Sequence, residues 1–399
     1  MAKRLPGAFS EASLRLTWKM SRDGRGHNPG GPGVDRTTAD QFSSHLSAHI
    51  HRVRDEIAKQ SFRFSPLKPH LLAKGDGYRI LAIPTVRDRF VQRAIIRHLD
   101  GDTKFSVSTP ISFGFRKELG IDDAHVRALD LRREFPWVLK VDIVQFFDRL
   151  DRSLLISKIE PIRSKAIKHL LREAVACEID PRFEKHLLVA EDNGIRNGEG
   201  LRQGMPLSPL LSNLMLKEFD TAIHKAGLKA VRYADDIAIF CSSRQACVEA
   251  LSIIRAKLAL LKLSVPDLED GSKTVIYEPS DVAEFLGLDI KRTATGYELV
   301  APTKKLDKIS AKMREVASLG ECRKLGRTVS QVSQTLDAMI AGHRGMVTRV
   351  ANGDDFLKRL VSAKHKAMNS LLRELVGDEV ISALTHEKRA VLGWADFEA

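Results

Sequence analysis

The chain is poor in cysteine and has no long apolar run. Its four cysteines, Cys177, Cys241, Cys247 and Cys322, form neither a Cys-x-x-Cys pair nor a dense framework. That spacing excludes a disulfide scaffold and speaks against a thiolate zinc site, so reduced thiols are expected. No window approaches the roughly 20 apolar residues of a membrane-spanning helix. Residues Met1 to Gly7, with Lys3, Arg4 and Pro6 among them, lack the apolar core of a secretory signal. The expectation is a cytoplasmic protein with no membrane partner. Internal repeats and low-complexity tracts are absent as well.

What the chain does have is length and positive charge. Its 399 residues, 43% of them hydrophobic, can bury a large core divided into two or three lobes. A net charge of +13 points to a polyanionic partner. Charge alone does not identify that partner, because membrane-surface proteins and proteins bound to ribosomes share it.

The most informative stretch runs from Arg232 to Phe240. Val231 and Tyr233 alternate with polar neighbours before Asp235-Asp236, and Ile237, Ile239 and Phe240 follow, which reads as strand, turn and strand. Two adjacent aspartates in an apolar hairpin repel each other and lose hydration, a combination that invites a cation. Hard oxygen ligands in a tight turn suit Mg²⁺. The competing reading is a solvated Asp-Asp turn. A second strand pattern covers Trp137 to Ile143 and ends near Asp142. If this strand lies beside the hairpin, Asp142 and Asp235 can share a metal pair spaced roughly 3.5–4 Å apart, as phosphoryl transfer uses. Phe147 follows Asp142 by five positions, where its ring could lie under the sugar of an incoming nucleotide and clash with a 2′-hydroxyl. The bland alternative, that Phe146 and Phe147 are core, holds for at least one of them.

These residues, with others in order along the chain, resemble reverse transcriptases, most closely the bacterial branch of group II intron, retron and defence-associated enzymes. Gly30-Gly31-Pro32-Gly33-Val34-Asp35 resembles the N-terminal element of the group II type, Leu81 to Gln92 the fingers segment, and Ser112 to Arg116 the next block. The Asp142 strand resembles motif A of the palm, Gly200 to Asn213 motif B, and Tyr233 to Asp236 motif C. Lys273-Thr274 resembles motif D and Glu284 to Leu288 motif E.

The resemblance implies an α+β right-hand polymerase: fingers over residues 1–133, a palm with an antiparallel sheet and the YADD hairpin over 134–300, and an α-helical thumb over 301–399. It implies an RNA-directed DNA polymerase with Asp142, Asp235 and Asp236 as catalytic residues. Asp142, Ile143, Asp235 and Asp236 become the metal set for two Mg²⁺, with Mn²⁺ able to substitute. Lys74 and Arg79, flanking the Gly75-Asp76-Gly77 turn, would reach over the triphosphate, although this hairpin departs from the family's Lys-Pro-Asn-Gly-Lys-x-Arg-Pro form. Phe147, Gln203, Gly204 and Lys273 complete the nucleotide set, Lys273 to neutralise or protonate departing pyrophosphate or simply as a solvated lysine. Arg116, Arg202, Tyr233, Lys304, Lys305, Lys308 and Lys312 would contact nucleic acid. The partners implied are an RNA template, encoded as a dedicated non-coding RNA, a DNA product and dNTPs.

Periodicity adds a helix from Phe9 to Met20, a Gly/Pro-rich loop from Asp23 to Gly33 holding Arg25 and His27, and one amphipathic helix from Thr38 to Lys59. His45 and His49 on that helix are read as surface histidines. Arg152 to His186 reads as helices and Glu191 to Gly198 as a polar hairpin tip. Past Thr303, apolar stripes at Leu306, Ile309, Met313 and Val316, at Val329, Val332, Leu336 and Ile340, and at Phe356, Leu360, Leu371, Leu372 and Leu375 read as helices. Their cationic faces would grip a template–primer duplex or merely solvate the helices. The expected form is a compact stand-alone enzyme in anti-phage defence. Gln-Gly-Met-Pro-Leu-Ser-Pro in motif B disfavours the diversity-generating branch, and the missing Val-Thr-Gly weakens a retron assignment. Template-independent synthesis, priming from a tyrosine or serine side chain, and a non-catalytic RNA-binding scaffold stay open, while Phe147 argues against ribonucleotide polymerisation.

Overall fold

A computed structural model describes residues 6–23, 30–74, 77–101, 105–383, 385 and 388. Arg25, His27, the Gly75-Asp76 turn and the Lys74 side chain lie outside the described residues. The chain divides into two compact units, residues 1–124 with 139–276, and residues 125–138 with 277–399. Among the described residues no helix is long and apolar enough to cross a membrane, and all four cysteines are buried free thiols.

In the first unit, strands β1 (Lys68–Lys74) and β2 (Gly77–Ile83) form an antiparallel hairpin in which Lys68 pairs with Ile83. The helix Val86–Asp100 follows at once, started by Thr85, whose hydroxyl accepts from the Asp88 amide at 3.1 Å. A four-stranded sheet contains β3 (Trp137–Asp142), β4 (Lys229–Tyr233), β5 (Asp236–Cys241) and β6 (Val275–Tyr277), in the order β4-β5-β3-β6. Strand β5 buries Ile237, Ala238, Ile239, Phe240 and Cys241 in succession, the pattern of a strand covered on both faces. The helix Arg244–Ala259 packs on β5 and the helix Ser208–Lys225 on β4. These helices supply Phe219, Met215, Cys247 and Ile254 to the core.

Three helices, Arg152–Ile159, Lys165–Val175 and Glu184–Asp192, separate β3 from the segment leading to the Ser208 helix. Helices were expected there, but Glu191 and Asp192 close the third of them, and residues 193–198 turn into coil with no strand on either side. The expected hairpin tip is therefore a helix end. The single helix expected from Thr38 to Lys59 is two helices, Ala39–Ser44 and Leu46–Ala58. His45, at φ −119°, breaks the run, and across that break His49 stacks on the buried Phe42 with ring centroids 4.1 Å apart. His49 is thus a packing residue, and burial before anything else lowers its pKa from the ordinary value.

The second unit holds a three-stranded antiparallel sheet of β7 (Ala283–Phe285), β8 (Leu288–Thr293) and β9 (Gly296–Val300). The β7–β8 turn places Leu286 and Gly287 at φ 50° and 75°, two consecutive left-handed residues as a two-residue hairpin requires. The helices Thr303–Val316, Val329–Ala341 and Gly353–Val376 pack on one another through Leu306, Met313, Val332, Leu336, Phe356 and Leu360. Ile309 and Val329 are only half-buried, and Leu375, in the last turn before Gly377, is 44% exposed, so the stripes are narrower than their periodicity suggests.

The segment 125–138 is held to this sheet by a buried cation. Arg132 donates to the carbonyls of Ile290 (2.6 Å), Asp281 (2.7 Å) and Glu278 (3.2 Å), and its guanidinium lies 4.7 Å from the Tyr297 ring centroid. Replacing Arg132 with Met keeps the volume and orphans three carbonyls, one buried and two part-buried. Urea denaturation should show a loss of about 3 kcal/mol or more.

Candidate active site

The hairpin carrying Asp235 and Asp236 joins β4 to β5 through a two-residue turn, with Tyr233 opposite Asp236. Ala234 sits at φ 57°, a conformation an L side chain rarely adopts, and must be held there. The holding group is Arg232, which is fully buried and donates to the Ala234 carbonyl at 2.9 Å. Its fork also makes two 2.6 Å bonds to Asp220, itself inaccessible to solvent, and one of 2.8 Å to the Ser112 hydroxyl. Thr109 donates to Asp220 at 2.8 Å, and Asn213 donates to the Gly114 carbonyl at 2.9 Å while accepting from Arg232. Gly114 itself lies against the turn: a Cβ there would stand 2.8 Å from the Ala234 amide nitrogen.

Asp142 ends β3, the neighbour of β5, so the two strands bring Asp142 beside the Asp235-Asp236 pair. Burial first, and then the charge of Asp142, raises the Asp235 pKa, while Arg79 and Lys273 pull it back. Burial, followed by the charge of Asp235, pushes Asp236 up to about 6, with Lys140 opposing. Lys273 donates to Asp142, and that bond is the main reason its own pKa is raised. Among the described residues, no three His, Cys, Asp or Glu side chains converge into a ready-made cation cage. The ammonium of Lys273 on Asp142 supplies part of the positive charge that the carboxylates need. Crowded, partly desolvated carboxylates with too little positive charge around them fit Mg²⁺ as a donor set. The Ile143 side chain is buried and apolar, so only its main chain can join such a set.

The β1–β2 hairpin docks beside this cluster. The Ala82 amide donates to the Gln203 carbonyl at 2.7 Å, and Arg79 donates to the Gln203 side chain at 2.6 Å. Gly204, at φ 107°, permits the approach, since a Cβ there would meet the Ala82 carbonyl oxygen at 2.8 Å. Of the two phenylalanines after β3, Phe146 is core and Phe147 is half-buried, their ring centroids 5.2 Å apart. The Phe147 carbonyl accepts from Leu201 at 2.7 Å, which ties the turn after β3 to the Gly200 segment. Arg79, Phe147, Gln203, Gly204 and Lys273 thus stand in the same unit as the three carboxylates.

The other predicted nucleic-acid residues differ in their surroundings. Arg202 is only 3% exposed and is engaged by Glu178 at 2.6 Å, so it is a buried ion-pair member and not an accessible phosphate contact. Arg116 spends donors on the Thr109 and Ser112 carbonyls, bracing the strand-like segment beside β4. Tyr233 is half-buried, 6.1 Å from the Phe115 ring. On the helix Thr303–Val316, Lys304 pairs with Glu284, Lys312 with Glu315 at 2.8 Å, Lys305 donates to the Gly287 carbonyl at 3.3 Å, and Lys308 is exposed. Sequence reasoning missed Asp220, Asn213, Ser112 and Thr109. The available signal was Asp220, an acid that shares a helix face with the apolar Leu216 and Ile223, which demands a buried partner.

Arg232→Met should therefore cost about 3–5 kcal/mol in chemical denaturation, because it strands the Asp220 charge in the core. Adding Asp220→Leu should recover part of that loss.

The sequence as a whole resembles known proteins of one family. Residues 43–290 match the family described as reverse transcriptase (RNA-dependent DNA polymerase). Protein YkfC of Escherichia coli (strain K12) is 26% identical over 298 residues, which is 61% of this chain and 74% of that protein. The group II intron-encoded protein LtrA of Lactococcus lactis subsp. cremoris is 26% identical over 203 residues, 49% of this chain but 31% of LtrA. The retron Ec83 reverse transcriptase of Escherichia coli is 26% identical over 207 residues, 50% of this chain and 60% of that enzyme. A telomerase structure from Candida albicans aligns at a TM-score of 0.40 with 11% identity, over 89% of this chain and 68% of that one, too loosely to carry an argument. With the match covering well over half of its length, the chain belongs to the reverse transcriptase family of RNA-directed DNA polymerases.

Proposed function

We propose that Asp142, Asp235 and Asp236 hold two divalent cations, with the main chain of Ile143 as a further ligand, and that the enzyme extends a 3′-hydroxyl with dNTPs on a structured RNA template. The observation that carries this reading is that adjacent strands set Asp142 beside the Asp235-Asp236 pair, where burial and mutual repulsion raise Asp235 and push Asp236 up to about 6. Bound Mg²⁺ supplies activation of the attacking hydroxyl and neutralisation of the charge that develops on the triphosphate. The chain's own residues do the rest. Arg79, with Lys74, binds phosphate from the β1–β2 hairpin, and Gln203 and Gly204 set the floor under template and nucleotide. The ring of Phe147 excludes a 2′-hydroxyl. Lys273, which donates to Asp142, brings a positive charge and a proton that can neutralise or protonate departing pyrophosphate.

In this reading residues 1–133 are fingers, 134–300 palm and 301–399 a helical thumb whose Lys304, Lys305, Lys308 and Lys312 grip duplex phosphates. Tyr233 lies towards the nucleic acid in this reading. The template is a dedicated non-coding RNA, the location cytoplasmic, and the biological role anti-phage defence, on the resemblance to compact bacterial reverse transcriptases.

Asp235→Ala should lower dNTP incorporation on a primed RNA template by at least about 10³-fold, the loss of several kcal/mol of transition-state stabilisation. Its melting temperature should stay level or rise, because a repelling carboxylate leaves a partly buried cluster. Phe147→Val should raise incorporation of ribonucleotides relative to dNTPs, read by primer extension with each nucleotide set. An unchanged ratio would sink the steric role of Phe147. Sequencing of RNA and DNA that co-purify with wild type and with Asp235→Ala tests the template. One enriched RNA, with complementary DNA in the wild type alone, is the expected result.

A further inference from the structure

Beyond the turn that follows β3 lies a polar cavity of about 430 Å³, lined by Gln145, Arg149, Arg152, Arg196, Glu199 and Lys262 among others. Its charges do not balance. Lys262 is matched by Asp151 at 2.5 Å, and Asp151 caps the helix Arg152–Ile159 through the Leu154 amide. Arg149 donates only to the neutral Gln145 side chain at 2.9 Å, and neither it nor Arg196 has an acidic partner among the described residues. Glu178 is shared by Arg152 at 2.8 Å and Arg202 at 2.6 Å, so a single carboxylate answers two guanidinium groups. Each of those arginines keeps one buried nitrogen without an acceptor, Nη2 of Arg152 and Nη1 of Arg202. Counting Glu199 against the cavity's cations still leaves an excess of positive charge.

The lining also says which anion fits. Guanidinium forks favour phosphate oxygens, which they can meet in bidentate fashion. No aromatic side chain lines the cavity, and Leu150 is its one large apolar residue, so there is no platform on which a base could stack. A volume in the small-molecule range, concave and mostly polar, suits a compact diphosphate better than a strand of nucleic acid.

We propose that this cavity is an accessory binding site for inorganic pyrophosphate, with Arg149 and Arg196 as its principal ligands and Arg152 as the half-buried charge behind them. The anion would bind beside the turn that connects Asp142 to Phe147, so that reaction by-product held there bears on the geometry of the catalytic strand's exit. The choice of pyrophosphate rests on the polymerisation proposed above, whereas binding of a small phosphate anion rests on the cavity alone.

The experiment is calorimetric titration of the full chain with inorganic pyrophosphate in EDTA, which removes any contribution from cations at the carboxylates. Wild type and Asp235→Ala should bind alike, and Arg149→Ala/Arg196→Ala should bind at least about tenfold more weakly, the worth of a charge-assisted contact. Both arginines are exposed, and melting curves should confirm that the double variant folds. Equal binding by the double variant, or no binding by wild type, overturns the proposal. So does loss of binding in Asp235→Ala with retention in the double variant, which would put the anion at the carboxylates. A single-stranded oligonucleotide that depends on Arg149 and Arg196 while pyrophosphate does not would identify a backbone contact and equally overturn it. Failure of Asp235→Ala to lose polymerisation would refute the metal assignment and leave these binding results standing.

Discussion

The ion pair between Arg232 and Asp220 is the constraint on which the Asp235-Asp236 turn depends. Both side chains are inaccessible to solvent, and two 2.6 Å bonds join them. Burying either charge alone would be prohibitive, and burying both costs desolvation that good geometry and further hydrogen bonds must offset. Here the offset is complete enough to do a second job. The remaining donors of the fork reach Ser112, Asn213 and the Ala234 carbonyl, so one guanidinium ties together a helix, a strand, a neighbouring segment and the turn. Ala234 can then stay in a left-handed conformation, and the two aspartates project from a turn that does not relax.

Under the proposed chemistry, a centre built this way resolves a conflict between folding and catalysis. Folding favours dispersed or neutralised carboxylates, and phosphoryl transfer needs them concentrated. The structure concentrates them and places Lys273 on Asp142 as an internal counter-charge. Strain and repulsion at the strand ends are carried by a rigid support that lies entirely beneath them.

Much of this was readable in the sequence because strand patterning and the cost of burying a carboxylate are local signals. Asp142 at the end of an apolar run and Asp235-Asp236 between two such runs announced themselves in that way. Arginines did not. Arg202 and Arg116 stand in the motif-bearing stretches and read as phosphate contacts, yet the first answers Glu178, far back along the chain, and the second answers nearby carbonyls. A guanidinium looks the same in sequence whether its partner is a phosphate or a buried acid, and only tertiary pairing decides. The break at His45 was hidden for a related reason. The amphipathic period continues through it, and only the tertiary structure shows the break, with His49 stacked on Phe42 across it.

The path of the backbone has its own consequence. Residues 125–138 belong with 277–399, although 139–276 intervene, and Arg132 is what binds them there. The second unit is thus assembled from two pieces of chain, and the first piece is made long before the second. A fragment ending near residue 276 would carry Arg132 with none of its three carbonyl acceptors, and a fragment beginning there would lack the donor. The boundary between the units is not a place where the polypeptide can be cut into two self-sufficient parts. During synthesis, the 125–138 segment must wait for the C-terminal third before its buried charge is satisfied.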